Sequence, residues 1–191
     1  MTIIKDKEPI FDTDKYEVIL VGTNIHNILR NGFQGKLANK YPYIVDENNK
    51  QPYADTRRLG TRITIERKGF PTISLMYICG VPQRKLKTID YNALKQCLET
   101  AALEFKGKRV MTTVLGSTCF DGGGDKRRVL RIMEKVFGGI DIDVYDYAQK
   151  NLKEEASEKR ELLIEMGISD GAKRAAILRQ LYLLPPLNGK K

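Results

Sequence analysis

The chain has 191 residues, 41% hydrophobic and 30% charged, which suffices for one well-buried domain with an appendage and is too short for two full domains. No apolar run approaches the roughly 20 residues of a membrane helix, and the opening Met-Thr-Ile-Ile-Lys-Asp-Lys-Glu carries charges where a signal peptide has its apolar core, so a cytoplasmic protein is expected. The formal net charge of +9 suits anionic ligands, but its basic residues are spread without a nucleic-acid motif or a basic–aromatic stripe, so specific nucleic-acid binding is not expected.

Strand-like and helix-like segments alternate along the chain. Residues 16–23 (YEVILVGT) form a near-continuous apolar run that suits a buried central strand. After a glycine-containing loop, residues 32–41 read as a short helix with Phe33, Leu37 and Tyr41 on one face. Residues 44–58 are polar and turn-rich and read as a surface loop. Residues 61–67 alternate as a half-exposed strand, and Lys68-Gly69 turns the chain into a second strand over 71–79. Asp90 is placed to cap a helix over 91–105, where Leu94, Leu98, Ala101 and Phe105 recur at helical spacing.

Residues 109–115 predict another strand, Val129, Ile132, Met133 and Val136 an amphipathic helix, and Ile140, Ile142 and Val144 a final strand. Strands separated by helices imply a three-layer α/β/α architecture around a mixed, mostly parallel sheet. From about residue 150 the composition shifts to Lys and Glu, then to a second short helical pattern ending in Leu-Leu-Pro-Pro-Leu. The expected division is therefore a domain over 1–149 and a helical tail over 150–191, suited to docking on a protein partner.

Two loops carry the residues from which chemistry is expected. The first spans 22–38 (GTNIHNILRNGFQGKLA) and the second 116–125 (GSTCFDGGGD), each beyond the carboxyl end of a strand. Ligands of open α/β sheets bind in the crevice at that edge. Glycine there lets backbone amides approach an anion, and the following helix adds its positive N-terminal end. Neither loop is a P-loop or a dinucleotide fingerprint, and no nucleophile elbow is present. The cysteines Cys79, Cys97 and Cys119 are odd in number and far apart, and His26 is the single histidine, so neither a disulfide framework nor a metal site is expected, and no cofactor.

The runs EVILVGTN and NGFQGKLANKYP, followed by ISLMYICG, IDYNALKQCLETAALEFKGKRV and LGSTCFDGGGDKRRVLRIMEKVF with its IDVYDYAQ ending, resemble macro domains in order across nearly all of residues 1–149. The likeness is to the branch of ADP-ribose-1''-phosphate phosphatases and DNA-ADP-ribose-removing antitoxins. It implies an ADP-ribose-type ligand and the possibility of hydrolysis of a phosphate or ADP-ribosyl bond at the distal ribose.

On this resemblance Asn24 matches the residue that contacts the distal ribose. Gly32, Phe33, Gln34 and Gly35 form the first phosphate-facing loop, Gly116, Ser117, Thr118, Cys119 and Phe120 cradle the diphosphate, and Gly122, Gly123 and Gly124 close the second loop. Tyr145 or Tyr147 is placed to stack on adenine. His26, near the distal ribose, and Asp121, in the second loop, are the residues that would assist a water. The sequence departs from the pattern at the adenine-holding Asp, where only Asp6 stands, and at Thr118, where the family has Gly. These departures also fit a second reading, a non-catalytic macro-like interaction or structural module that docks partners through its tail.

Overall fold

The computed structural model describes residues 1–5, 7–30, 32–80, 88–117, 122–138 and 140–146. The tail over 150–191 lies outside them, as do Asp6, Thr118, Cys119, Phe120, Asp121 and Tyr147.

The strands are β1 (Thr2–Lys5), β2 (Val18–Asn24), β3 (Arg62–Ile65), β4 (Thr72–Cys79), β5 (Val110–Thr113) and β6 (Ile142–Asp146). The helices are α1 (Gly32–Lys40), α2 (Tyr43–Asn49), α3 (Tyr91–Glu104) and α4 (Lys126–Phe137). The described strands make one sheet in the order β1-β6-β5-β2-β4-β3, parallel throughout except for the antiparallel β3–β4 pair.

The expected three layers follow from which way each strand residue points. Val18 and Leu20 of β2, with Met76 and Ile78 of β4, pack against Leu94, Leu98 and Ala101 of α3 and Val129, Met133 and Phe137 of α4. On the other face Ile19, Val21, Ile73 and Leu75 meet Phe33 and Leu37 of α1 and Ile44 of α2. This period of two along the strands and three to four along the helices is what the sequence showed. Burying β2 on both faces and pairing it on both edges makes it the axis of the domain. Gly22 lies in it because a Cβ there would come within 2.7 Å of the Ile78 side chain.

Asp90 caps α3 as expected, its Oδ1 accepting from the amides of Asn92 (2.8 Å) and Ala93 (3.0 Å). The loop expected over 44–58 is corrected in part: Tyr43–Asn49 is helical, and Thr56–Arg58 forms a single 3-10 turn. Helix α2 buries only Ile44 and Asn48, too few residues for an apolar period. Tertiary contacts hold it, among them the hydrogen bond from the Tyr77 hydroxyl to Asn48 Oδ1 (2.9 Å). Strand β1, an edge strand with three of its four residues exposed, likewise carries no sequence signal.

Candidate ligand crevice

Strands β2 and β5 are parallel neighbours, so their carboxyl ends open on the same edge of the sheet, the edge at which open α/β sheets bind ligands between the following loops. The first loop begins with an irregularity: the register of β2 against β4 shifts between Thr23 and Asn24. Such a bulge re-aims the strand's last side chain. The buried Asn24 then folds the loop around its own amide. Its Oδ1 accepts from the backbone N–H of His26 (3.1 Å) and Ile28 (3.2 Å), and its Nδ2 donates to Ile28 O (2.8 Å). Asn24 thus meets its hydrogen-bond needs within the loop that carries His26.

His26 is half-buried and lies edge-to-face with Tyr53, ring centroids 5.1 Å apart at 88°. Tyr53 is 71% exposed, so the pair forms a wall at the surface. Sequence reading passed over Tyr53 because an aromatic in a polar loop carries no periodic signal.

Three of the expected ligand residues point elsewhere. Phe33 and Gln34 are buried in the first turn of α1, Phe33 within the apolar layer between α1 and the sheet. Gly35 is packed against the preceding chain, where a Cβ would come within 2.5 Å of Arg30 O. The segment expected as a phosphate-facing loop is thus the first turn of α1, with the Phe33 and Gln34 side chains buried, so that only its backbone is placed to meet an anion. Of that group, Gly32 stands at the helix start, half-buried, with a left-handed φ of 60°.

Tyr145 is corrected in the same way. Its ring is 1% exposed and packs in the α1–α2 layer, leaving no open face for a base. Its hydroxyl donates to Asp12 Oδ2 (2.7 Å) and shares a hydrogen bond with the Tyr16 hydroxyl (3.1 Å). Burial, with Tyr16 and Asp12 nearby, raises the Tyr145 phenol far above its ordinary value, and burial above all pushes Tyr16 up to about 12. Lys15 first, then Lys7, hold the Asp12 carboxyl well below the usual carboxylate range, against the opposing effect of burial.

The second loop leaves β5 through Gly116, which is buried at φ 62°. Ser117 Oγ donates to Val114 O (2.7 Å), and Gly124 N–H donates to Gly116 O (2.8 Å), which closes the loop on itself. Gly122 accepts at its carbonyl from Thr88 N–H (2.8 Å) and Ile89 N–H (3.3 Å), so the loop is sewn to the chain that follows β4. A Cβ on Gly122 would stand 2.6 Å from Cys79 Sγ, and the φ of 125° excludes most side chains in any case. At Gly124 a Cβ would come within 2.9 Å of Gly116 O. These glycines are required for close backbone approach, and Gly123, at φ 63°, for the turn. At the head of α4, Asp125 caps the helix by accepting from Arg128 N–H (2.8 Å).

No protein-family model and no curated protein matches this sequence. Solved structures do share the fold. The macrodomain of Mycobacterium tuberculosis DarG superposes with a TM-score of 0.59 at 16% identity, covering 78% of this chain and 99% of that one. Thermosipho africanus DarTG, solved in complex with ADP-ribose, gives a TM-score of 0.62 at 13% identity, covering 79% of this chain and 43% of that one. A protein of unknown function from Bacteroides thetaiotaomicron gives 0.61 at 21% identity, covering 76% and 98%. The class of protein is thus a three-layer α/β/α domain with paired loops at the carboxyl edge of its sheet. Its particular form is the macrodomain fold, as the sequence resemblance implied.

Proposed function

We propose that this domain binds ADP-ribose or a close derivative in the crevice between the β2–α1 and β5–α4 loops. The carrying observation is the convergence of Asn24, Gly32, Gly116 and Gly124 on neighbouring parallel strand ends, in a fold that Thermosipho africanus DarTG presents in complex with ADP-ribose. Gly32 and Gly116 supply backbone flexible enough for close approach to a diphosphate, and α1 directs its N-terminal amides toward the same edge. On this reading Asn24 acts on the distal ribose through the loop it folds. His26, or Asp121, which lies outside the described residues, is the group that would assist a water there.

Calorimetric titration of ADP-ribose into the purified 191-residue protein tests the proposal. Micromolar binding that weakens at least tenfold in Asn24→Ala is expected. No heat at millimolar ADP-ribose would overturn it and leave the interaction-module reading, for which residues 150–191 are the proposed docking segment. Incubation with ADP-ribose-1''-phosphate and with an ADP-ribosylated oligonucleotide then asks whether the bound ligand is turned over.

A further inference from the structure

Arg58, in the 3-10 turn before β3, is 7% exposed, a buried cation. Among the described residues no carboxylate pairs with it. One terminal nitrogen, Nη1, instead donates to three acceptors: Ile25 O (3.1 Å), Asn27 Oδ1 (2.8 Å) and Pro52 O. The guanidinium carbon lies over Tyr77, 3.8 Å from the ring centroid, while among the described residues the buried Nε and Nη2 have no hydrogen-bond partner. A lone buried charge with unanswered donors is a poor way to stabilise a fold. The hydrogen bonds that its guanidinium does make fall on two segments, Ile25–Asn27 of the first crevice loop and Pro52.

The same place holds the backbone strain of the domain. Asn27 (φ 57°) and Ala54 (φ 56°) are the two non-glycine residues with positive φ among those described. Asn27 receives the guanidinium, and Ala54 N–H donates to Ile25 O (2.8 Å), the carbonyl that Arg58 also holds. Asn27 Nδ2 in turn donates to Gln51 O (2.9 Å). Strained backbone persists only where its surroundings over-determine it, and such places cluster at functional sites. Immediately before the two strained residues in the chain stand His26 and Tyr53, the ring pair at the surface.

We infer that Arg58 is the positioning residue of the crevice: from behind the first loop it locks Ile25–Asn27 to the Pro52–Ala54 segment and so fixes His26 against Tyr53. The inference rests on the ADP-ribose reading for its functional consequence, but not for its geometry. Lysine in this position reaches one acceptor as a point charge and lacks the planar fork that lies over Tyr77.

His26 is the sole histidine, so its imidazole C–H resonance reports this loop without ambiguity. In the full chain, that resonance is expected to be displaced from its unfolded-chain position by the Tyr53 ring. In Arg58→Met it is expected to move towards the unfolded position and broaden while the far-ultraviolet circular dichroism stays native, and the Kd for ADP-ribose to rise at least tenfold. Arg58→Lys is expected to restore part of both and serves in its place should Arg58→Met not fold. An unmoved His26 resonance in either folded variant overturns the inference. If the unaltered chain does not bind ADP-ribose, the proposed function fails while the resonance still decides the role of Arg58. A lowered melting temperature with resonance and Kd unchanged would show a merely structural residue and also overturn it.

Discussion

The Tyr145 hydroxyl donates to Asp12 Oδ2 at 2.7 Å, joining the last strand of the described domain to a 3-10 segment 133 residues earlier. Asp12 also receives Lys7 and Lys15 (2.6 Å to Lys15), so one buried carboxylate gathers two cations and a phenol. Asp12 is thereby a pin that holds residues 9–15 against β6.

Replacing it with Asn removes the charge and keeps the shape. Asp12→Asn is expected to lower stability at pH 7 by about 1.5–3 kcal/mol, the usual range for hydrogen bonds to charged groups. Because the folded carboxyl titrates below its unfolded value, its stabilisation is fully present above about pH 4 and lost as pH falls through the folded value. Urea midpoints of the two proteins should therefore converge on acidification. Parallel decline would show that Asp12 is not the acid-sensitive group.

The Tyr77–Asn48 pair makes a double-mutant cycle. Tyr77→Phe leaves the Asn48 side chain, buried and with Nδ2 already unpartnered, without any hydrogen bond among the described residues. A loss of about 1–3 kcal/mol is expected. The double variant Tyr77→Phe, Asn48→Leu should recover much of it, since replacing both partners by apolar groups is far less costly than stranding one. Additive losses in chemical denaturation would contradict this account.

Two glycines with positive φ separate crowding from conformation. Gly69 (φ 84°) has nothing within 4 Å of a built Cβ, so Gly69→Ala should cost only the left-handed backbone, about 1–2 kcal/mol. Gly122→Ala adds a clash with Cys79 and Ile89 and should cost clearly more, and also weaken ADP-ribose binding. Equal melting temperatures for the two variants would refute the tight seam between the second loop and β4.

Burial pushes the Cys97 thiol up to about 12, against the opposing influence of Arg62. Its Sγ–H donates to Thr61 O (3.2 Å). At pH 8 it therefore stays a thiol, and thiolate is the nucleophile. Peptide mass spectrometry after iodoacetamide should find native Cys97 unmodified and the urea-unfolded residue modified. Rapid native labelling would show that α3 opens from the sheet.

The sequence by itself determined the layered architecture, because β2, β4, α3 and α4 bury long apolar faces whose periods of two and 3.6 are written in adjacent residues. It also located both glycine loops, since strand ends and helix starts bracket them, and the Asp90 cap, which acts on residues two and three positions away. What only the tertiary structure decided is which side chains face the crevice. Phe33, Gln34 and Tyr145 turn into the core because helix and strand geometry point them there, and Asn24 folds its own loop through backbone partners that a bulge brings within reach. The roles of Arg58 and Asp12 carry no local signal, because Ile25 and Asn27 lie 33 and 31 residues from Arg58 and Tyr145 lies 133 residues from Asp12. Contacts at such separations depend on how the sheet brings distant segments together, and no local pattern of residues encodes them.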